Sequence, residues 1–435
     1  MEKLDQIALI YSKVQSNWKS AKTIAANLNL AYSSCYGSSL RIFNLSQSVD
    51  ASSTQLLALA HSIFNFRPKK LIFIDDVISP SKFLTLLSQV YEFRRLPSLH
   101  FHIYGNFTLN TAYWLELDSI LKKTEVQFIC ASERQGKLVK KFLIEGKNHI
   151  RICPFPVDTK TYYYSPKLRD EYREKLQIQS NELVLLYTGR LSVQKNILRL
   201  THEVANLIQK KGLNLRLIFA GNFDEIWMPY FKTRNKKLGT YYKQWIEILE
   251  QFNENVRNKI SLLGFQDNTE LNSLYSAADI FVSLSLYHDE DFGMSPAEAS
   301  CCGLPLVLSD WGGFAGFTSL NSSCYLVATQ LQTEGLHLSS KSFHQGITSQ
   351  ATDLSKFNLN QLRLERSRIA KQHLSIDAIS HSLKENYSHK FFQFCGFNDL
   401  IHEQVKAFKK AIPFPQGPKK GTLYEKIYEA YLQET

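Results

Sequence analysis

Short aliphatic and β-branched runs alternate with longer stretches of helical spacing along most of the chain, and few folds accommodate that alternation. A run such as LVLLYTGR (183–190) is apolar on both faces, which suits a parallel strand covered by helices on either side. In the first third such runs fall at 6–12, 40–46, 71–76, 99–105, 126–132 and 149–155; a second series falls at 183–190, 215–221, 259–265, 279–285 and 305–310. The class is α/β, with one open sheet for each series. A single core rarely grows past about 250–300 residues, so two sheets in two domains agree with a chain of 435 residues.

The polar segment 157–181, which contains Pro166, separates the two series. The expected division is an N-terminal domain over 1–165, a linker over 166–180 and a C-terminal domain over 181–413. PFPQGPKKG (413–421) then breaks helical structure, and Tyr424, Ile427, Tyr428, Tyr431 and Leu432 follow at helical spacing. A helix with one apolar face needs a surface to cover, and 421–435 is expected to return to the N-terminal domain. Residues 330–360 are rich in Ser, Thr and Gln with weak periodicity, and no function is assigned to them. No repeat of about 20–50 residues is visible, which argues against solenoids and propellers.

The composition, 44% hydrophobic and 21% charged, is that of a globular chain. It has no apolar run of about 18 residues that could span a bilayer. The opening MEKLDQIALIYSKV lacks a basic segment followed by a long apolar one, so the expected location is the cytoplasm. Seven cysteines without a C-x-x-C pair fit neither a disulfide framework nor a zinc site, and are read as small buried hydrophobes. A net charge of +11 and a pI near 9.1 point to an acidic partner, whether nucleotide, anionic lipid or acidic glycan. No G-x-G-x-x-G follows any predicted strand, which argues against a nicotinamide dehydrogenase.

Two segments carry chemistry. In LYTGRLSVQKNILRL a strand ends at Gly189, and Asn196 is the expected N-cap of a helix running to Lys211 with Gly212 as its stop. Ligands of open parallel sheets bind beyond the carboxyl ends of the strands, so Arg190 and Lys195 stand where two cations can reach one diphosphate. The same spacing serves equally for two solvated surface cations. In YHDEDFGMSPAEASCCGLPLVLSDWGG, the acids Asp289, Glu290 and Asp291 precede Phe292 and Gly293. Ser295, Pro296 and Glu298 then read as a capping box opening a short helix that Gly303 ends. The amides at such a helix start favour a phosphate, and Gly293 lets backbone approach a ligand. Glu298 can be purely a capping residue. Asp289 and Asp291 read either as an acidic rim or as an Asp-x-Asp metal site.

Glu290 and Glu298 with seven residues between them, together with Phe292, Gly293, Ala299, Gly303 and Pro305, resemble the signature of family 4 retaining glycosyltransferases. Gly189-Arg190, Lys195-Asn196, LLGF (262–265) and Ala278-Asp279 match the same family, and Ser132-Glu133 and Pro156-Val157-Asp158 fit it more loosely. The resemblance implies a GT-B fold, two doubly wound Rossmann-like domains facing a central cleft. It implies transfer of a sugar, with retention, from a nucleotide diphosphate sugar to a glycan or lipid-linked acceptor hydroxyl in polysaccharide or glycolipid synthesis. Arg190 and Lys195 would hold the diphosphate, Glu298 the ribose and Glu290 the sugar, with Gly189, Phe265, Phe292, Gly293, Met294 and Ser295 lining the donor site. Neither a metal nor another cofactor is expected, and nucleic acid is not an expected partner. A sugar-nucleotide epimerase or a non-catalytic nucleotide-sugar-binding protein remains as an alternative. The glycine pair common after the family's first strand is missing; YSKVQSNWKS stands there instead, and no contact is assigned to that loop.

Two further features lie in the N-terminal half. His100 and His102 alternate with apolar residues in LHFHIYGNFT. The resemblance makes His102, near the strand's carboxyl end beside Tyr104, Gly105 and Asn106, a catalytic candidate, against the reading of a hydrogen-bonded core histidine. ERQGKLVKKFLIEGK mixes Arg134, Lys137, Lys140, Lys141 and Lys147 with apolar residues. It reads as an ordinary surface helix or as a peripheral contact with the anionic inner face of a membrane.

Overall fold

The computed structural model describes residues 5–11, 19–44, 52–74, 81–92, 95–104, 107–145, 149–224, 239–288, 290–385, 393–409 and 420–432. It divides into two units, one of residues 1–156 with 376–413 and one of residues 157–375 with 414–435. Each carries its own six-stranded parallel sheet.

The first sheet consists of β1 (Ile7–Tyr11), β2 (Leu40–Asn44), β3 (Lys70–Phe73), β4 (Ser98–Ile103), β5 (Val126–Cys130) and β6 (Ile150–Ile152), in the order β2-β1-β3-β4-β5-β6. Its core is aromatic. Phe101 on β4 stacks on Phe73 at 4.8 Å and meets Trp114 edge-on at 5.4 Å. Phe128 on β5 receives Phe394 and Phe397 at 6.1 and 6.4 Å. Such pairs contribute about 0.5–1.5 kcal/mol each beyond the area they bury, and two of these rings come from beyond residue 376. The helix Ile376–Glu385 packs on Lys19–Tyr36, and Asp399–Lys409 on Thr111–Leu121. Residues 376–413 therefore belong to the first unit, not to the C-terminal domain expected from sequence.

The second sheet consists of β7 (Leu183–Thr188), β8 (Leu215–Ala220), β9 (Ile260–Leu262), β10 (Ile280–Ser283), β11 (Leu306–Ser309) and β12 (Cys324–Val327), in the order β12-β11-β10-β7-β8-β9. Leu185, Leu217, Phe219 and Val282 meet Ile197, Leu200, Val204 and Trp245 in one core layer. Val184, Leu186, Ile218 and Phe281 alternate to the other face and are also buried. Chain order in this sheet reverses between β7 and β10, so the crevice of an open sheet opens beyond the carboxyl ends of those two strands.

Two assignments from sequence change in this unit. The expected linker 166–180 contains the helix Pro166–Lys175, whose Arg169 and Arg173 reach the buried Asp279 at 2.6 and 3.2 Å. It packs on the second unit through these two arginines while its other face stays exposed. The chain end, expected on the N-terminal domain, docks instead on the second unit. Tyr424, Ile427, Tyr428 and Tyr431 are all buried, and Trp311 lies 6.2 Å from Tyr428 and 5.5 Å from Tyr431. Helical spacing told that one face is apolar and not which surface it covers. The stretch 330–360, unassigned from sequence, contains most of a hairpin of β13 (Thr329–Gln332) and β14 (Gly335–Leu338), then the helix Ser340–Lys356.

Candidate functional site

The loops after β7 and β10 meet where the strand order reverses. After Gly189 (φ +131°) the chain makes one tight turn over Val193–Lys195, and Asn196 then opens the helix Ile197–Lys211, which Gly212 stops in the left-handed region. Asn196 occupies the N-cap position as expected, but its side chain makes no cap bond. It has φ +56°, and its Nδ2 donates to the Leu284 carbonyl at 3.0 Å. That bond ties the loop after β7 to the end of β10 and delivers Lys195 to Glu290.

Lys195 Nζ lies 2.5 Å from Glu290 Oε2, and the Ser285 hydroxyl donates to the same oxygen at 2.6 Å. The Glu290 side chain is 8% exposed and that of Lys195 22%, so the pair sits at the wall of the protein rather than in open water. Arg190 lies four residues from Gln194 on the same turn and donates to its Oε1 at 3.1 Å, while its other terminal nitrogen is 2.7 Å from Asp224 Oδ2. Both candidate cations thus face carboxylates. A diphosphate entering here exchanges against protein anions and not only against water.

Glu298 differs from its expected local role. The helix Met294–Cys301 has Gly293 at its N-cap and no side-chain cap bond, so the capping box read from Ser295 and Glu298 does not form. Glu298 Oε2 instead accepts from the Tyr275 hydroxyl at 2.9 Å, and Tyr275 also meets Thr188 Oγ1, at the end of β7, at 2.7 Å. Tyr162 bonds Glu298 as well. Burial first, and then the Glu298 charge, push both phenols well above their ordinary range, so they remain protonated donors. The first-turn amides of Met294–Cys301 are left without a side-chain cap, the condition in which a helix start favours an anion.

Gly293 is demanded by its surroundings: φ is +106°, and a Cβ there would lie 2.7 Å from the Phe314 ring. Phe292 is buried against Phe317 and Met294 is buried too, so backbone is what this turn offers outward. Phe265 is 62% exposed beyond β9. The Asp291 carboxylate is buried and bound by Tyr431, and Asp289 lies outside the described residues, as do Gly105, Asn106 and Lys147. Among the described residues no group of three His, Cys, Asp or Glu side chains could hold a metal ion.

Sequence reasoning missed Ser285, Gln194, Asp224, Tyr275 and Tyr162. Gln194 lies inside the segment read for Arg190 and Lys195 without being singled out; the others stand in no motif, and the strand order brings them to the same edge. In the first unit His102 is buried, with Nε2 2.8 Å from the Tyr32 hydroxyl. Burial, and after it the charge of Arg151, lower its pKa to about 3, so the ring is neutral at ordinary pH. His100 pairs with Ser98 at 3.1 Å. The apolar side of Glu133–Lys140 is committed to the core through Leu138 and Val139, while Lys137 and Lys140 stay exposed. No helix among the described residues is long and apolar enough to cross a membrane.

Residues 169–343 match the model of glycosyl transferases group 1, and they contain every contact just described except those of Tyr162, Tyr431 and the first unit. An uncharacterized glycosyltransferase of Methanocaldococcus jannaschii is 31% identical over 33% of this chain and 31% of its own length. A lipopolysaccharide 1,2-N-acetylglucosaminetransferase of Salmonella typhimurium is 24% identical over 64% of this chain and 66% of its own. The chain thus spans between about a third and two-thirds of these curated relatives. The crystal structure of Anabaena HepE in complex with UDP-glucose superposes with a TM-score of 0.60 at 15% identity, covering 88% of this chain and 99% of that one. The fold is that of GT-B glycosyltransferases, with two Rossmann-like α/β domains. What the chain shares with the glycosyl transferases group 1 family is thus the match over residues 169–343, within a fold of the GT-B type.

Proposed function

We propose that the protein is a retaining glycosyltransferase that moves a sugar from a nucleoside diphosphate sugar to an acceptor hydroxyl. The observation that carries this reading is the grouping of Lys195, Glu290 and Ser285 where the second sheet reverses its order, beside the uncapped start of Met294–Cys301. Lys195 and Arg190 supply positive charge for the diphosphate, and the helix amides add to it. Glu290 and Glu298, carboxylates held by neighbouring donors, each keep acceptor capacity for sugar and ribose hydroxyls. In the reaction the bond from the anomeric carbon to the β-phosphate oxygen breaks and a bond to the acceptor oxygen forms. The acceptor proton leaves with the diphosphate, whose growing charge is stabilised by cations already in place. Those cations meet the charge without a metal.

The acceptor in this reading is a glycan or a lipid-linked glycan at the cytoplasmic face of a membrane. A relative named for lipopolysaccharide supports it, as do the exposed Lys137 and Lys140, which offer positive charge to an anionic surface rather than an inserting face.

The test is thermal stabilisation by UDP-, GDP- and ADP-sugars, followed by release of nucleoside diphosphate in the presence of lipid-linked glycans, with and without EDTA. At least one nucleotide sugar is expected to raise the melting temperature of the wild type and not of Lys195→Ala. Product NMR then reads the anomeric configuration. No stabilisation by any member of the panel would refute the assignment.

A further inference from the structure

We propose that the end of the chain completes the donor site. Tyr431 is a positioning residue that clamps the acidic loop carrying Glu290, and this role rests on reading Glu290 as the contact to the transferred sugar.

The clamp is built from both sides of Glu290. On the C-terminal side the Tyr431 hydroxyl donates to Asp291 Oδ1, with both residues buried. On the N-terminal side the His288 ring lies 5.9 Å from Tyr428 and 4.4 Å from Tyr287. Between them, the Glu290 carbonyl accepts from the Gly313 amide at 2.7 Å. Trp311 fills the space behind, with its Nε1 donating to the Tyr287 carbonyl at 2.7 Å and its ring against Tyr428 and Tyr431. The fit leaves no slack. A Cβ on Gly312 would lie 2.4 Å from the Glu290 carbonyl and 3.1 Å from the Tyr431 ring.

The tail itself is short. Leu423–Tyr428 continues as a single tighter turn over Glu429–Tyr431, and a helix of that length does not hold its shape in water alone. It is ordered by burying Tyr424, Ile427, Tyr428 and Tyr431 on the loop and on Trp311. A buried carboxylate is costly without donors, and the Tyr431 hydroxyl is one that holds Asp291 in the core. Loop and tail therefore order each other. When the phenol hydroxyl is lost, Asp291 is held less firmly, and Glu290, one residue away, loses its fixed position against Lys195.

The test compares the full chain with Tyr431→Phe, which removes one hydroxyl and keeps the ring in Trp311's contact. Hydrogen exchange of peptides over 286–293 and 310–314 is expected to speed up by about tenfold or more, as for loss of a hydrogen bond to a charged group, while β7 and β8 peptides stay unchanged. With the nucleotide sugar selected by the thermal panel, kcat is expected to fall by about tenfold and the KM for that donor to stay within about twofold, because the loop holds the sugar and not the nucleotide. Unchanged exchange in Tyr431→Phe overturns the clamp, whatever the enzyme turns over. Faster exchange with both kcat and KM at wild-type values overturns the positioning role. If the wild type turns over no nucleotide sugar, the glycosyltransferase reading and Tyr431's effect on turnover fail together, and the exchange result still decides whether the tail holds the loop.

Discussion

Lys195 and Glu290 come from loops 95 positions apart in the chain, and their charged atoms lie 2.5 Å apart at the reversal of strand order in the second sheet. Replacing either with Ala removes a charge from the site, where electrostatic groups in place before reaction typically supply about 10²–10³-fold each. Lys195→Ala and Glu290→Ala are each expected to lower kcat/KM by at least about 100-fold. The sheet beneath should survive, since Ser285 still donates to Glu290 in the first variant and Lys195 is part exposed in the second. Circular dichroism and melting check the fold; full turnover in either variant contradicts the assignment.

Arg190 is paired with Asp224, and that pairing competes with any incoming phosphate. With the Arg190 side chain 34% exposed, the ion pair is solvent-screened and modest. Asp224→Ala is expected to tighten binding of inorganic pyrophosphate by about two- to fivefold at low salt, whereas Arg190→Ala weakens it. Calorimetry reads both. The opposite signs are the point: if both variants weaken binding alike, Asp224 holds Arg190 in place instead of competing for it.

What the sequence disclosed and what it hid divide along physical lines. Strands buried on both faces are continuous apolar runs, so both sheets and most of their members were legible; β12, CYLV, was not, because its half-buried residues lie in a short run after a loop. Lys195 and Glu290 were legible as residues following an apolar strand run, whereas their pairing across β7 and β10 was not, because those strands are neighbours in the sheet and not in the sequence. Glu298 was legible as a residue and misread as a cap, since a carboxylate three positions past a serine looks the same whether it turns back to its own helix or out to Tyr275. Tyr431 was legible only as one tooth of an apolar face, and its partner Asp291 depends on a surface that no local pattern specifies. Pro166–Lys175 looked like a linker for the same reason: its charges read as solvated until Asp279 is placed beneath them.

Asp279 is buried, with Arg169 at 2.6 Å, Arg173 at 3.2 Å and the Val184 amide donating at 2.7 Å. Removing one partner of such a network strands charges away from water, at a cost of about 3–5 kcal/mol. Asp279→Ala is expected to lower the stability of the second unit by that order, and denaturant unfolding followed through residues of β7 and β10 measures it. A loss below about 1 kcal/mol, as at a solvent-exposed pair, would place these guanidinium groups in contact with water in solution.

His102 is held neutral by burial, and then by the charge of Arg151, down to a pKa of about 3, against about 6.5 in an unfolded chain. Between those values the unfolded chain binds one proton more than the folded one, so stability rises with pH. The contribution of His102 is complete above about pH 6.5 and is lost progressively as the solution is acidified toward about pH 3. His100, lowered in the same direction by burial and then by Lys70, adds to the slope. His102→Gln keeps a polar partner for Tyr32 and removes one titrating group. Its unfolding free energy is therefore expected to fall less steeply than that of the wild type between about pH 6.5 and 5, by up to ~1.4 kcal/mol per pH unit. Urea unfolding of the first unit across that range, with the carboxylates common to both proteins, isolates the difference. Equal slopes would mean that the ring already carries its proton in the folded protein, and that the Tyr32 contact is made by an imidazolium rather than by a neutral histidine.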